Sequence, residues 1–231
     1  MNAKLAKSII DKAFLAVFGQ PNPYDLATFQ QKFAFDVFLP QSVQDYITGQ
    51  ETWTDATRGE KFITEATSDQ INKERGWMRP KEELKNLDQI LKIWQEINST
   101  NTERGSDNAN ILESDTIYRS ENIYRCTNCN DAKNLVFCDS CGRSEYLVAC
   151  SRSFNYNFCI RTDDSANCSN CFEIMYSGKI ANSLFIQDCF DLYECLFCAH
   201  IVHQKFCIAN MQFEEAEYFA IKAQVIEWIL S

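Results

Sequence analysis

The cysteines of this chain are spaced in a way that few folds allow. There are 12 of them in 231 residues, all lie after residue 125, and every cysteine number is divisible by three. They are Cys126, Cys129, Cys138, Cys141, Cys150, Cys159, Cys168, Cys171, Cys189, Cys195, Cys198 and Cys207. Independent placement would give one shared phase with odds of roughly one in 10⁵, so we take the three-residue period as a property of the fold.

The other residues in the same phase fit a row that faces inward. From Ile111 to Ile201 they are Cys, Ser, Ile and Leu with single Ala, Tyr and Thr residues, and none is charged. A strand repeats every two residues and a helix every 3.6, so neither explains the period. We therefore predict a narrow β-solenoid in which every third residue points into a thin core and stacked coils support one another.

The residue just before each inward position is often asparagine, which tolerates the left-handed backbone conformation of tight corners. The asparagines in this phase include Asn122, Asn128, Asn134, Asn155, Asn167, Asn170 and Asn182. Similar segments begin at Glu121, Lys133 and Glu145, whereas Cys141 and Cys150 differ by nine. We expect irregular coils of about 12 residues, and about eight of them over 111–208 would make a rod of about 40 Å.

The flanking sequence completes an α+β architecture in three parts. We predict a mainly helical domain over 1–110 that ends in a polar linker, the cysteine-rich solenoid over 111–210, and a C-terminal capping helix over 211–231. Helices are expected at Met1–Phe18, Asp25–Phe35, Pro80–Ile97 and Phe213–Leu230. The third has Pro80 in its first turn and an apolar stripe of Leu84, Leu87, Leu91 and Trp94. Because a solenoid exposes a pairing edge at each end, the N-terminal half and the last helix are expected to cover the ends.

Zinc is the competing explanation of the cysteines. Four C-x-x-C pairs occur, and Cys126, Cys129, Cys138 and Cys141 would make a reasonable four-thiolate site in a reduced protein. However, an inward row produces C-x-x-C wherever two neighbouring core positions are Cys. We therefore favour a structural row without a cofactor, and zinc on these four residues remains the alternative. The remaining eight thiols are assigned to the core row: Cys150, Cys159, Cys168, Cys171, Cys189, Cys195, Cys198 and Cys207.

Composition excludes several classes of function. The formal net charge is -10, which disfavours general binding of nucleic acid or anionic membranes. With 7 glycines the chain has no Gly-rich phosphate loop, and no run of 18 apolar residues predicts a membrane span. The first helix has no signal-peptide pattern, so a reducing cytoplasm with free thiols is expected.

Catalysis is poorly supported. The only histidines, His200 and His203, lie outside the inward phase and should point outward. A thiol nucleophile needs a base and a lowered pKa, and at most one Cys–His pair could form. The acidic pairs Asp163/Asp164 and Asp188/Asp191 are read as solvated surface carboxylates. We expect no enzyme and no small-molecule substrate.

Two outer features suggest protein partners. Arg143, Arg152 and Arg161 recur at nine-residue steps in one phase. We favour ordinary charged decoration of a solenoid face, and a basic stripe that meets an acidic partner is the alternative. Seven aromatic residues share their phase and are too numerous to remain solvated, so they should pack against the N-terminal half or another chain. They are Phe137, Tyr146, Phe158, Tyr176, Phe185, Phe197 and Phe206.

The C-terminal half resembles a cysteine-rich repeat family of bacteriophage and small-genome bacterial proteins. That family combines dense C-x-x-C units with a tail of the form YCI-x-N-x-Q-(Y/F)-x-x-EEY, and the likeness covers residues 117–230. The tail residues matched are Phe206, Cys207, Ile208, Asn210, Gln212, Phe213 and Tyr218. The resemblance implies a viral or mobile-element setting without an assigned activity.

Our leading hypothesis is a non-enzymatic structural or interaction protein, such as a phage virion or assembly component. A zinc module that contacts nucleic acid or protein is the alternative, and a thiol-dependent enzyme is the third.

Overall fold

A computed structural model describes residues 3–231. The helices are α1 (Ala3–Phe18), α2 (Leu26–Phe33), α3 (Glu65–Glu74), α4 (Leu87–Ile97) and α5 (Glu215–Leu230). The strands before the coils are β1 (Gln41–Gln44), β2 (Glu51–Thr54), β3 (Phe62–Thr64) and β4 (Thr100–Thr102). The coils contain β5 (Gly105–Ser106), β6 (Ala109–Leu112), β7 (Asp115–Tyr118), β8 (Glu121–Tyr124), β9 (Thr127–Asn130), β10 (Lys133–Val136), β11 (Glu145–Val148), β12 (Ser151–Phe154), β13 (Asn157–Ala166), β14 (Ser169–Met175), β15 (Gly178–Ala181), β16 (Leu184–Gln187), β17 (Phe190–Ala199), β18 (Val202–Ile208) and β19 (Met211–Gln212).

The coils form a parallel β-solenoid, which confirms the predicted fold class. Each strand pairs in parallel with the strand 12 residues further on, as Glu121, Lys133, Glu145 and Asn157 do in turn. About nine turns stack in this way. Every third residue from Ser114 to Cys198 is buried, as the period predicts.

The backbone turns at every third residue. From Asp107 to Ala209 each residue just before an inward position has a positive φ, between 43° and 61°. None of these corner residues is glycine, so ordinary side chains hold the left-handed conformation against its usual penalty. All seven asparagines predicted to favour this conformation adopt it.

Twelve residues per coil and one inward residue in three give each coil four sides. Residues 12 apart therefore form a column along the solenoid. A step of nine residues moves to the next column around the coil, so the nine-residue cysteine steps do not mark shorter coils. For the same reason Arg143, Arg152 and Arg161 lie on three different sides, so the alternative of a basic stripe is wrong. Arg152 instead pairs with Asp163 and Asp164.

Hydroxyls and thiols of the inward row connect successive coils. The Ser177 hydroxyl donates to the Met175 carbonyl at 2.7 Å and accepts the Cys189 amide at 3.0 Å. The Cys138 amide likewise meets the Cys126 sulfur at 3.3 Å. Slim polar side chains therefore satisfy backbone groups that a wholly aliphatic core would leave without these partners.

One side of the solenoid is covered by helices along its length. The residues just after one inward column are apolar at 12-residue spacing, and we call them the apolar column: Tyr124, Val136, Val148, Ile160, Phe172, Leu184, Leu196 and Ile208. Helix α1 packs across β8, β10, β11, β13 and β14, and places Ile9, Phe14 and Phe18 in one cluster with this column. The helix predicted at Met1–Phe18 is thus confirmed over Ala3–Phe18. Residues 1 and 2 lie outside the described part of the chain.

The C-terminal helix is also present where it was predicted. Its first turn has a capping box between Glu214 and Glu217. Trp228 contacts the stacked rings of Phe185 and Phe197, and the Lys222 ammonium donates to the Asn182 carbonyl at 2.8 Å. The helix therefore runs along the side of the last coils, and the expectation that it covers their end is wrong. Several of the seven outer aromatics pack against helices in this way, since Phe137 stacks near Phe29 of α2.

The first coil is covered by residues of the N-terminal half. Strand β3 pairs in parallel with β4, and the buried hydroxyls of Thr52 and Thr102 lie 2.7 Å apart. Arg104 joins Asp55 and Asp115 in an ion-pair cluster. Burial of Asp115 favours its neutral form, but the hydrogen bonds from Arg104 outweigh it and hold the pKa of Asp115 below its ordinary value. This end is therefore closed, as predicted.

The last coil ends in side-chain amides instead of another coil. In an inner coil the Gln187 carbonyl accepts the His200 amide of the next coil. At the equivalent Ala199, the Asn210 side chain accepts from the amide at 3.0 Å and donates to the carbonyl at 2.9 Å. The Gln212 side chain donates to the Lys205 carbonyl at 2.9 Å. Two residues of the tail motif therefore replace backbone partners at the open edge.

Two expectations about the N-terminal part are wrong. The helix predicted from Pro80 begins at Leu87, because the Asn86 side chain accepts the Gln89 amide at 3.0 Å and caps it there. The segment 98–110, expected to be a polar linker, contains β4, β5 and the start of β6. The regular left-handed corners are already present at Asp107. A polar segment can therefore form a coil when its backbone pairs with the backbone of the next coil.

Candidate functional site

The structure places all 12 cysteines in the inward row as free, buried thiols. Cys126, Cys129, Cys138 and Cys141 lie in two neighbouring columns of two successive coils. Each donates to the carbonyl two residues before it, at 3.2–3.4 Å. These thiols are therefore satisfied within the solenoid, as the core-row interpretation expects.

The same geometry offers little to a zinc ion. Across residues 3–231, no group of three or more Cys, His, Asp or Glu side chains is arranged to hold a metal ion. Burial raises the pKa of the Cys126 and Cys141 thiols well above the usual value, which disfavours the thiolate form that zinc requires, whereas hydrogen bonds from neighbouring thiols lower the pKa of Cys129 and, despite burial, that of Cys138. The zinc site on these residues stays a prediction, and no contact found in the described chain supports it.

The thiols also lack the surroundings of a nucleophile. Hydrogen bonds from neighbouring thiols lower the pKa of Cys129 to about 6, through Cys126, and of Cys198 to about 7, through Cys195. Yet Cys129 is 0% and Cys198 2% exposed, so a substrate has no access to either sulfur. The histidines point outward, as predicted, and the His203 ring lies 2.8 Å from the Asp191 carboxylate.

A large apolar surface lies on residues 77–97, which we call the apolar segment. It consists of α4 and the stretch before it, and no side chain of α4 is buried by the described chain. Eight large hydrophobic residues here are exposed by 37–92%: Trp77, Met78, Leu84, Leu87, Ile90, Leu91, Trp94 and Ile97. Soluble monomers seldom leave so many neighbouring apolar side chains in water, so this surface is a candidate interface.

Polar contacts hold the C-terminal end of helix α4. Arg79 pairs with Glu96 at 2.7 Å, and the Lys61 ammonium donates to the Gln95 carbonyl. Its apolar residues recur at steps of three and four, so they share one broad face. These contacts hold the C-terminal end of the helix near β3 and leave the apolar face open to solvent.

A second candidate surface is a groove on the other end of the solenoid, which we call the coil groove. It has a volume of about 1030 Å³. Its floor is made of the small residues Ser165, Ala166, Ser177, Gly178 and Cys189, and its sides of Arg152, Phe154, Asp164, Tyr176, Asp188, Phe190 and Val202, with Ser140 at one edge. Phe154, Tyr176 and Val202 are each 51% exposed. The groove thus combines an apolar lining with charges of both signs at its rim.

Glycine shapes this groove. A Cβ atom on Gly178 would lie 3.2 Å from the Phe190 ring, and one on Gly142 would lie 3.0 Å from the Phe154 ring. Each ring therefore leans over the glycine of the preceding coil and forms a wall of the groove. These are the two glycines within 111–210, so their rarity was a usable signal that our sequence reasoning missed.

The apolar stripe of α4 was predicted, but its exposure was not. A stripe predicts that something covers the helix, and only the three-dimensional arrangement reveals whether the same chain does so.

No helix among residues 3–231 is both long and apolar enough to cross a membrane. No protein-family model matches the chain, and a search of curated proteins found no match.

Proposed function

We propose that this chain is a non-enzymatic structural protein that assembles with other protein chains through the apolar segment. The observation that carries the proposal is the uncovered face of α4, with Leu87 65% and Trp94 53% exposed. Clusters of aromatic and aliphatic residues of this kind form the centres of protein interfaces. The stacked coils supply a rigid support for them.

The expected setting follows from the thiols and the tail. Free buried thiols suit a reducing compartment, so we propose assembly in the cytoplasm. The resemblance of residues 206–218 to tails of a phage-associated family supports a bacteriophage virion or assembly component, and that setting stays a prediction. The net charge of -10 favours protein over nucleic acid as the partner.

The test is the mass of the purified, reduced protein in solution. We expect wild-type protein to form assemblies larger than one chain in the micromolar range, as measured by light scattering after size exclusion. Leu91→Glu keeps a good helix former but places a carboxylate at the centre of the apolar face, so it should be monomeric. Gln95→Glu puts the same side chain on an exposed polar position of α4 and is the matched control. A wild-type protein that remains monomeric, or a Leu91→Glu variant that assembles normally, would refute the proposal.

A further inference from the structure

The apolar segment and the coil groove lie towards opposite ends of the molecule. Helix α4 ends three residues before β4, at the first coil. The groove begins at Ser140 and Arg152 and continues to Val202, in the last coil. At about 4.8 Å per coil, the middle of the groove is more than 20 Å along the solenoid from α4. The two surfaces of one chain are therefore placed to meet the complementary surfaces of other chains.

We propose that the coil groove of one copy binds the α4 helix of a second copy, so that the protein assembles head to tail. This inference rests on the proposed function and names the partner. Lengths agree, since 11 helical residues at 1.5 Å span about 16 Å, and the four coil steps from Phe154 to Val202 span about 19 Å. At Ala166 the floor carries only a methyl group, so a side chain of the helix can approach closely there, whereas Gly178 lies under the Phe190 ring.

Surface chemistry matches as well. The apolar segment carries four basic and four acidic residues and so has no net charge, in a chain of net charge -10. The acidic body of another copy therefore repels the apolar segment only weakly. Asp164 already pairs with Arg152, so Lys85 or Lys92 would meet the carboxylate of Asp188 at the groove rim, while the aromatic walls offer apolar contacts to Leu91 and Trp94.

Such a contact joins two different surfaces, so it is heterologous and extends into a ring or an open filament. An interface between two α4 helices would instead be isologous and would stop at a dimer. The two arrangements differ in which variants can rescue each other, and this difference gives the decisive experiment.

The experiment uses groove variants together with Leu91→Glu. Ala166→Glu fills the groove floor, at an outward position whose equivalents in other coils are Phe154 and Phe190. Tyr176→Asp is the second groove variant, and its column already contains Asp164 and Asp188. Asn157→Glu is the matched control, because its own column holds Glu121 and Glu145. Melting temperature and circular dichroism establish that each variant folds.

We expect each groove variant to weaken self-association by roughly a hundredfold, as Leu91→Glu does, and Asn157→Glu to assemble normally. Mixing Leu91→Glu with Ala166→Glu should restore association as a 1:1 heterodimer, because one intact helix meets one intact groove and growth stops there. If the groove variants assemble like wild type while Leu91→Glu does not, the head-to-tail inference is wrong but the proposed function is upheld. A mixture of folded variants that stays monomeric would also overturn it, and a monomeric wild type would remove both proposals.

Discussion

At the scale of single residues, the solenoid depends on a backbone conformation that most amino acids avoid. A corner every third residue places Arg, Phe, Tyr and Asp in the left-handed region, where each side chain is unfavourable by roughly 1–2 kcal/mol. Pairing with the coils above and below outweighs this penalty only while the coils are stacked. The corner positions are therefore sensitive to side-chain shape even where they face solvent.

Asn155 tests this sensitivity, because it is exposed and has a φ of 61°. Asn155→Val introduces a β-branched residue that strongly disfavours this conformation, whereas Asn155→Gly adopts it freely. Both variants lose the hydrogen bond from Asn155 to Asn167, so this contact cancels in the comparison. In urea unfolding, we expect the valine variant to be about 1–2 kcal/mol less stable than the glycine variant. Equal stability would contradict the role assigned to the corners.

Cys150 tests the inward row. It is 0% exposed, and its thiol donates to the Val148 carbonyl at 3.3 Å. Cys150→Ser should lower the free energy of unfolding by only about 1 kcal/mol, because Ser144 and Ser153 make the same bond, each to the carbonyl two residues before it. Cys150→Arg should prevent folding, since it buries an unpaired charge. A soluble arginine variant with the wild-type melting temperature would be incompatible with an inward Cys150.

At the scale of elements, the two ends of the solenoid are closed by different means. Strand β3 and the Arg104 cluster cover the first coil, whereas Asn210 and Gln212 cover the last with their side chains. An exposed edge is a template for pairing with another chain. The tail motif matched in the sequence therefore has a structural explanation, which is to end the ladder of backbone hydrogen bonds.

Hydrogen exchange at the Ala199 amide measures this closure. Asn210→Ala removes both bonds to Ala199, and at about 1 kcal/mol each we expect exchange there to be roughly ten to thirty times faster. Asn210→Asp keeps an oxygen that can accept from the amide and should protect it better than alanine does. If the alanine variant exchanges at the wild-type rate, the side-chain amide is not what closes this edge.

Sequence patterns predicted the elements to very different extents. The inward row follows from a period that no other regular structure shares, and the asparagine corners follow from known backbone preferences. The start of α4 was placed too early because Pro80 is acceptable both in a first helical turn and in an extended segment. The apolar column was visible as Val136, Val148 and Ile160 at 12-residue spacing, but the nine-residue cysteine steps concealed the constant coil length.

At the scale of the whole molecule, the sequence could not reveal which surfaces remain uncovered. An apolar stripe on α4 and the apolar stripe on α1 look alike as sequence, yet α1 is buried against the apolar column and α4 lies in solvent. The coil groove depends on side chains 12 and 24 residues apart, which become neighbours only once the coil length is known. The candidate interface is therefore a property of the assembled coils and could not be read from any single motif.

The helix along the apolar column also sets a rule for how this protein can change in length. Helix α1 has 16 residues, or about 24 Å, and it crosses strands of five successive coils, the first and last of which lie about 19 Å apart. One coil advances about 4.8 Å and one helical turn about 5.4 Å. A duplication of 12 codons would therefore lengthen the solenoid by nearly one turn of its covering helix. A related chain could therefore gain one coil only in two ways. Either helix α1 lengthens by about one turn to cover the new coil, or the new coil places a polar residue, which needs no cover, in the apolar column.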